Sequence, residues 1–263
     1  MDWKHAKTLF IIVFVLVNIG LIVVYINKVN NSVVQESNAQ SEVNFSKEGI
    51  KIPKLPEYND KEMQAITGRS KTFNSDSAVG VYSLTEKDTQ INKDIDLEIN
   101  KEQNQNTFKQ FIDKESYKGN DYQYSKDASN KNKAIYEQTY EGLPILSNNK
   151  GQIAFNLEND KANKYTQTYL DKLKPGNGDN NHKQKIATAR TALETLYFNT
   201  YLKKGDTVQS VRLGYYSVVK EISGQVLVPS WEVKIKTKEN GKDKTKYLYI
   251  DAIKPESTVL EES

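Results

Sequence analysis

The chain has 263 residues with 37 Lys and Arg against 34 Asp and Glu, a net charge of +3, and no cysteine. That near-balance indicates neither a nucleic-acid-binding tract nor a polybasic lipid-binding surface, and the missing thiols exclude disulfides, thiolate metal sites and cysteine nucleophiles together. Any globular part must therefore depend on its core, for which 16 Tyr and 8 Phe with many Ile, Leu and Val suffice for one or two ordinary domains.

Residues 1–7 carry Lys4, His5 and Lys7 with one Asp2, and read as a cytoplasmic tail. Thr8 to Asn27 then gives 20 residues without a charge. At about 1.5 Å per residue such a helix covers about 30 Å, the thickness of a bilayer's hydrocarbon core. The basic flank puts the N-terminus in the cytoplasm and the bulk of the chain outside. A cleaved signal peptide is the competing reading. Its apolar region is usually about 7 to 15 residues, and the only small-x-small candidate, Ser37 to Ala39, lies well past the end of the run.

Asn18 stands near the middle of this span, where an amide has few partners besides another helix. Ile11, Phe14, Val15, Leu21, Ile22 and Tyr25 lie at helical spacing from it and define a face for a partner helix. An interhelical hydrogen bond there is worth about 0.6 to 2 kcal/mol, enough to bias partner choice but not to hold a complex alone.

Residues 28–49 are polar and read as a juxtamembrane linker, with packed chain expected from Ile50. Two helix-plus-antiparallel-sheet units follow, residues 50–171 and 172–254, then a tail at 255–263. The fold class is α+β. In the first unit "AVGVYSL" and "DIDLEIN" alternate as half-buried strands, and Phe108, Phe111 and Ile112 fall at helical spacing. After them "YKGNDYQYS", "KAIYEQTYEGLPIL", "GQIAFNLE" and "NKYTQTYL" form a meander. "KLKPGNGDNN", Lys172 to Asn181, is the joint.

The second unit repeats the plan. Ile186, Ala189, Leu193, Leu196 and Tyr197 make an apolar stripe, with Asp179 or Asn180 as cap and "KKG" at 203 to 205 as stop. "TVQSVRLGYYSVVKEI", "GQVLVPSWEVKIK" and "KYLYIDAI" complete it, with Asn240-Gly241 as a hairpin turn. Pro144 and Pro229 each fall inside a strand pattern and imply an edge or a bulge. Val226 and Val228 are even-numbered and Trp231, Val233 and Ile235 odd, so the alternation is expected to shift at Pro229. Edges at Pro144, Pro229 and Trp231 are the candidate surface for a partner protein's strand, although Trp231 as a strand aromatic is first a core residue.

No catalytic constellation is present. His5 and His182 have no ligand partner at a recognisable spacing, and no nucleophile elbow, phosphate loop or His-Glu-x-x-His helix occurs. No metal, cofactor or small-molecule ligand is expected.

The opening "MDWKHAKTLFIIVFVLVNIGL", the internal "YEGLPIL" and the closing "VPSWEVK" followed by "YLYIDA" resemble the YycI (WalI) family. The resemblance implies a membrane-anchored accessory regulator of the WalK (YycG) sensor histidine kinase, acting with YycH as a heterodimer and through membrane spans, in the control of cell-wall metabolism. It also implies an ectodomain related to the later domains of YycH, and carries no catalytic residues. Two other classes have distinct requirements. An extracytoplasmic ligand- or peptide-binding or protease-inhibitor-like module needs a deep apolar cleft near Trp231 and Tyr215. An anchored cell-wall enzyme needs converging carboxylates or His182 in a pocket.

Overall fold

The computed structural model describes residues 43–74, 82–99, 104–178, 181–217, 224–239, 241–257 and 259–262, with Trp3, Lys7, Ile11, Val13, Phe14, Val15, Val17, Asn18, Gly20 and Leu21. Residues 1–43 and 44–263 form separate compact units. In the first, the ten described residues from Trp3 to Leu21 are helical. No helix among the described residues is long and apolar enough to cross a membrane.

The larger unit begins to pack before Ile50: Phe45 is buried and the Ile50 N–H donates to its carbonyl at 2.8 Å. Residues 28–42 of the expected linker lie outside the described residues. In chain order come β1 (Glu62–Met63), β2 (Ile66–Ser70), β3 (Ser83–Thr85) and β4 (Gln90–Glu98), then helix α1 (Asn104–Glu115). Next are β5 (Tyr122–Tyr124), β6 (Lys133–Tyr140), β7 (Leu143–Pro144), β8 (Gln152–Glu158), β9 (Lys161–Gln167) and β10 (Leu170–Pro175). The chain ends with β11 (Gln184–Lys185), helix α2 (Ala189–Phe198), β12 (Thr207–Tyr216), β13 (Gln225–Glu239), β14 (Lys242–Asp251) and β15 (Val259–Glu262). The fold is mostly antiparallel sheet with few helices.

One sheet has the order β3-β4-β9-β8-β6-β5, with β7 on β6. Its apolar face is aromatic, as the alternation in β4 and the meander predicts. Phe108 and Ile112 of α1 are buried, and the Phe108 ring lies 4.5 Å from that of Phe155, with Tyr136 and Tyr165 beside it. "AVGVY" contributes only Tyr82 here, because residues 75–81 lie outside the described residues.

The other sheet has the order β10-β2-β13-β14-β15, with β12 on β13. Strand β2, although it lies early in the chain, pairs with β10 and with the start of β13. The helix beside this sheet starts later than its stripe implies: Thr188 is the cap, its Oγ1 accepting from the Thr191 N–H at 3.1 Å. Ile186 is buried in the approach, its N–H donating to the Lys61 carbonyl, and Asp179 and Asn180 lie outside the described residues. Ala189, Ala192, Leu193 and Leu196 form the helix's buried face.

The alternation does not shift at Pro229. Gln225, Leu227, Pro229, Trp231, Val233 and Ile235 are all buried, whereas Val226 is 57% exposed. The odd-numbered side is thus buried through the proline without a break, whereas the even-numbered side goes from exposed Val226 through half-buried Val228 to buried Ser230 and Glu232.

Candidate functional site

Asn18 is helical, and its Nδ2 donates to the Phe14 carbonyl at 2.8 Å, one turn back along its own helix. This engages one of the two amide hydrogens. Phe14, Val15 and Leu21 of the expected face are exposed, as is Ile11. Ile22 and Tyr25 lie outside the described residues.

The two prolines converge on one strand. Pro144, half-buried, is opposite Thr139 at the end of β6. The chain then swings onto β12, where Ile145 bridges Tyr215 in parallel and the Leu146 N–H donates to the Tyr215 carbonyl at 2.8 Å. Across β12, Tyr215 is opposite Pro229. The β2 pairing of β13 ends at Leu227 and the β14 pairing begins at Ser230, so the imide nitrogen of Pro229 falls where neither strand needs a donor. Its carbonyl still accepts from the Ala252 N–H at 2.8 Å. Trp231 is 1% exposed, its Nε1 donating to the Ala187 carbonyl at 3.0 Å and its ring tilted against Tyr58. The prolines thus sit on either side of Tyr215, in the seam that joins the two sheets.

Beside them lies a buried ionic cluster that sequence reasoning missed. Arg212 of β12 reaches Glu137 of β6 through Nη1 at 2.7 Å and Glu232 of β13 through Nη2 at 2.7 Å. It also donates to Ser125 Oγ at 3.0 Å. Asp127 completes the group at 3.5 Å from Nε, and its carbonyl accepts from the Tyr247 hydroxyl at 3.0 Å. Glu137 and Glu232 are almost wholly buried. Burial alone lowers the guanidinium's affinity for its proton, but Glu137 and Glu232 more than reverse this and raise it above the usual arginine range. Burial raises the Glu232 carboxyl above its ordinary value of 4.5, and Arg212 pulls back only part of that. The signal available in the sequence was weak: "YEQTY" and "SVRLG" each place a charge within a buried strand pattern, but nothing fixes which charge meets which.

Glu137 and Glu232 are each held by the guanidinium and almost wholly buried, while Asp127 is partly exposed. Asp127, Glu137 and Arg212 line a cavity of about 360 Å³, together with Pro56, Tyr58, Lys126, Pro144 and Leu213. A second groove of about 470 Å³ has Trp231 beneath it and Glu57, Asp60, Lys185 and Arg190 at its sides. Trp231 and Tyr215 are both core residues, and Trp231 also forms part of the lining of this second groove. His182 is exposed and lines neither cavity. Among the described residues no group of three or more His, Asp or Glu is placed to hold a metal ion.

The described residues of the larger unit thus form a mostly antiparallel sheet fold with few helices, tied across its seam by the Arg212 cluster. The chain matches the family described as YycI protein over residues 28–253 and belongs to it. The family is a regulatory accessory one, and membership points to a regulator of the WalK/YycG system. No curated protein matches the chain. Among solved structures, an uncharacterized protein from Eubacterium rectale ATCC 33656 is similar, with a TM-score of 0.46 and 9% identity over 81% of this chain and 90% of that one.

Proposed function

We propose that the chain is a non-enzymatic, single-span regulator that binds a WalK/YycG-type sensor histidine kinase together with a YycH-type partner and modulates the two-component signalling that controls cell-wall metabolism. The observation that carries this reading is the family match over residues 28–253. The uncharged run from Thr8 to Asn27 supplies the anchor, with the N-terminus cytoplasmic and the globular unit outside.

A protein without a reacting group alters a kinase only by binding its signalling states unequally. Two parts are suited to that contact. Asn18 keeps its amide oxygen, for which no hydrogen-bond partner occurs among the described residues, for a neighbouring helix. The seam around Pro144 and Pro229 gives the globular unit a stiff frame on which to present a surface.

The test replaces Asn18 with Leu in the full chain, confirms membrane insertion and abundance, and measures co-purification with the kinase and with the YycH-type protein, together with transcription of cell-wall genes. Loss of either association with insertion intact supports the span as a contact. Wild-type association and transcription remove Asn18 from the reading and leave the globular unit as the binding element.

A further inference from the structure

The place where the chain enters the globular unit has an unusual surface. Asn44 to Ile50 form a tight turn, with Glu48 N–H donating to the Asn44 carbonyl at 3.1 Å. The turn packs on the connection between α2 and β12. Phe45 meets Tyr197 edge-on at 6.3 Å, and a Cβ added at Gly49 would lie 4.0 Å from Lys204 Cγ. The Lys51 N–H donates to the Asp206 carbonyl at 3.1 Å, and the Val208 N–H donates to the Lys51 carbonyl at 2.8 Å.

That connection turns two rings outward. Phe198 is 62% exposed and Tyr201 40%, while Leu202 next to them is 1% exposed. The loop is held in place, since the N–H groups of both Tyr201 and Leu202 donate to the Leu196 carbonyl. Its rings are therefore displayed by an ordered backbone. Lys47, Lys203 and Lys204 are exposed around them, with no ion pair to any of the three among the described residues. The nearby acids are otherwise engaged: Glu48 holds the Tyr197 hydroxyl, and Asp206 is buried with its carboxylate on the Lys203 N–H at 2.8 Å.

We propose that Phe198 and Tyr201, with Lys47, Lys203 and Lys204, form a membrane-contact surface that seats the globular unit on anionic lipid headgroups. Aromatic rings are favoured at headgroup depth, and lysines beside them are attracted to an anionic leaflet. The chain outside the described residues supports the same occupant, because the segment that follows the span ends on this patch. Only the 16 residues from Lys28 to Val43 separate the uncharged run from the turn, a length of chain that spans at most about 50 Å. The proposal rests on the anchored reading above.

The chain has no cysteine, so a single introduced thiol reports one place. The Asn199→Cys variant of the full chain, labelled with bimane between the two rings, is compared with Val226→Cys, which is exposed but off the patch. Both are reconstituted in phosphatidylcholine vesicles with and without phosphatidylglycerol, carrying a headgroup nitroxide quencher. Alkaline flotation reports the anchor independently. The expected result is flotation of both variants, with stronger quenching at 199 than at 226 in phosphatidylglycerol vesicles. Each of Lys203→Gln and Lys204→Gln should reduce the quenched population at 199 about five-fold. Flotation with equal quenching at the two positions overturns the surface while the anchor stands. Failure to float overturns the anchored reading, and the surface falls with it.

Discussion

Arg212 and Glu137 join two sheets through one charged pair, Nη1 to Oε2 at 2.7 Å, with Glu137 3% exposed. The strands that carry them, β12 and β6, do not pair with each other. The guanidinium thus ties two ladders that share few backbone hydrogen bonds.

Arg212→Met should cost about 3–5 kcal/mol, because it strands two buried carboxylates without their cation. Replacing Glu137 and Glu232 by apolar residues in the same chain should restore most of that loss, since the penalty belongs to the unpaired charges. Urea unfolding of the single and triple variants checks both. A single-variant loss below about 1 kcal/mol would show that water reaches the cluster and screens it.

Glu232 gives this cluster a pH signature. Its folded value is raised, so in the window above 4.5 the folded state binds more protons than the unfolded one. Stability from this group therefore falls as pH rises through the window, opposite to the usual behaviour of a paired carboxylate. Glu232→Gln should remove that slope. Unfolding free energies of wild type and variant, measured across the window, should diverge in favour of wild type as the pH is lowered.

Gly214→Ala should open the seam. The new Cβ would meet the Pro144 carbonyl oxygen at 2.4 Å, a backbone atom that cannot turn away. A loss of about 1–3 kcal/mol is expected from such overpacking. Gly224→Ala meets nothing within 4 Å and should stay within about 0.5 kcal/mol of wild type. Thermal melts of the two variants give the contrast.

The continuous parity of β13 is testable in one pair. Val226→Lys should be nearly neutral, within about 0.5 kcal/mol, as it changes an exposed side. Leu227→Ala should cost about 2–5 kcal/mol, as it empties a site with 0% exposure. Equal losses would mean that the strand's two sides are not distinguished as described.

Local patterns were legible because they obey local rules. Ile95 and Leu97 alternate with Asp94, Asp96 and Glu98 in β4 as expected, and Phe108, Phe111 and Ile112 lie on α1. The parity error at Pro229 came from taking two valines as the buried set, when Val226 pairs with Thr67 on β2 and faces water. Which strand β2 would join, and which acid Arg212 would meet, are long-range choices that no short window contains. The lateness of α2 was readable from Thr188, a strong capping residue that the apolar periodicity overshadowed.

The pairing of Ile66, Thr67 and Gly68 with Leu227, Val226 and Gln225 also sets an order of events in time. An early segment waits for a late one, so β2 has only β10 beside it until β13 has been synthesised. Pairing between such distant segments forms slowly and leaves strand edges bare meanwhile. The nascent chain thus passes through a stage with most of its helices and strands made but one sheet open. A chain stopped short of Gln225 would present that open sheet to chaperones and proteases as an unfinished product.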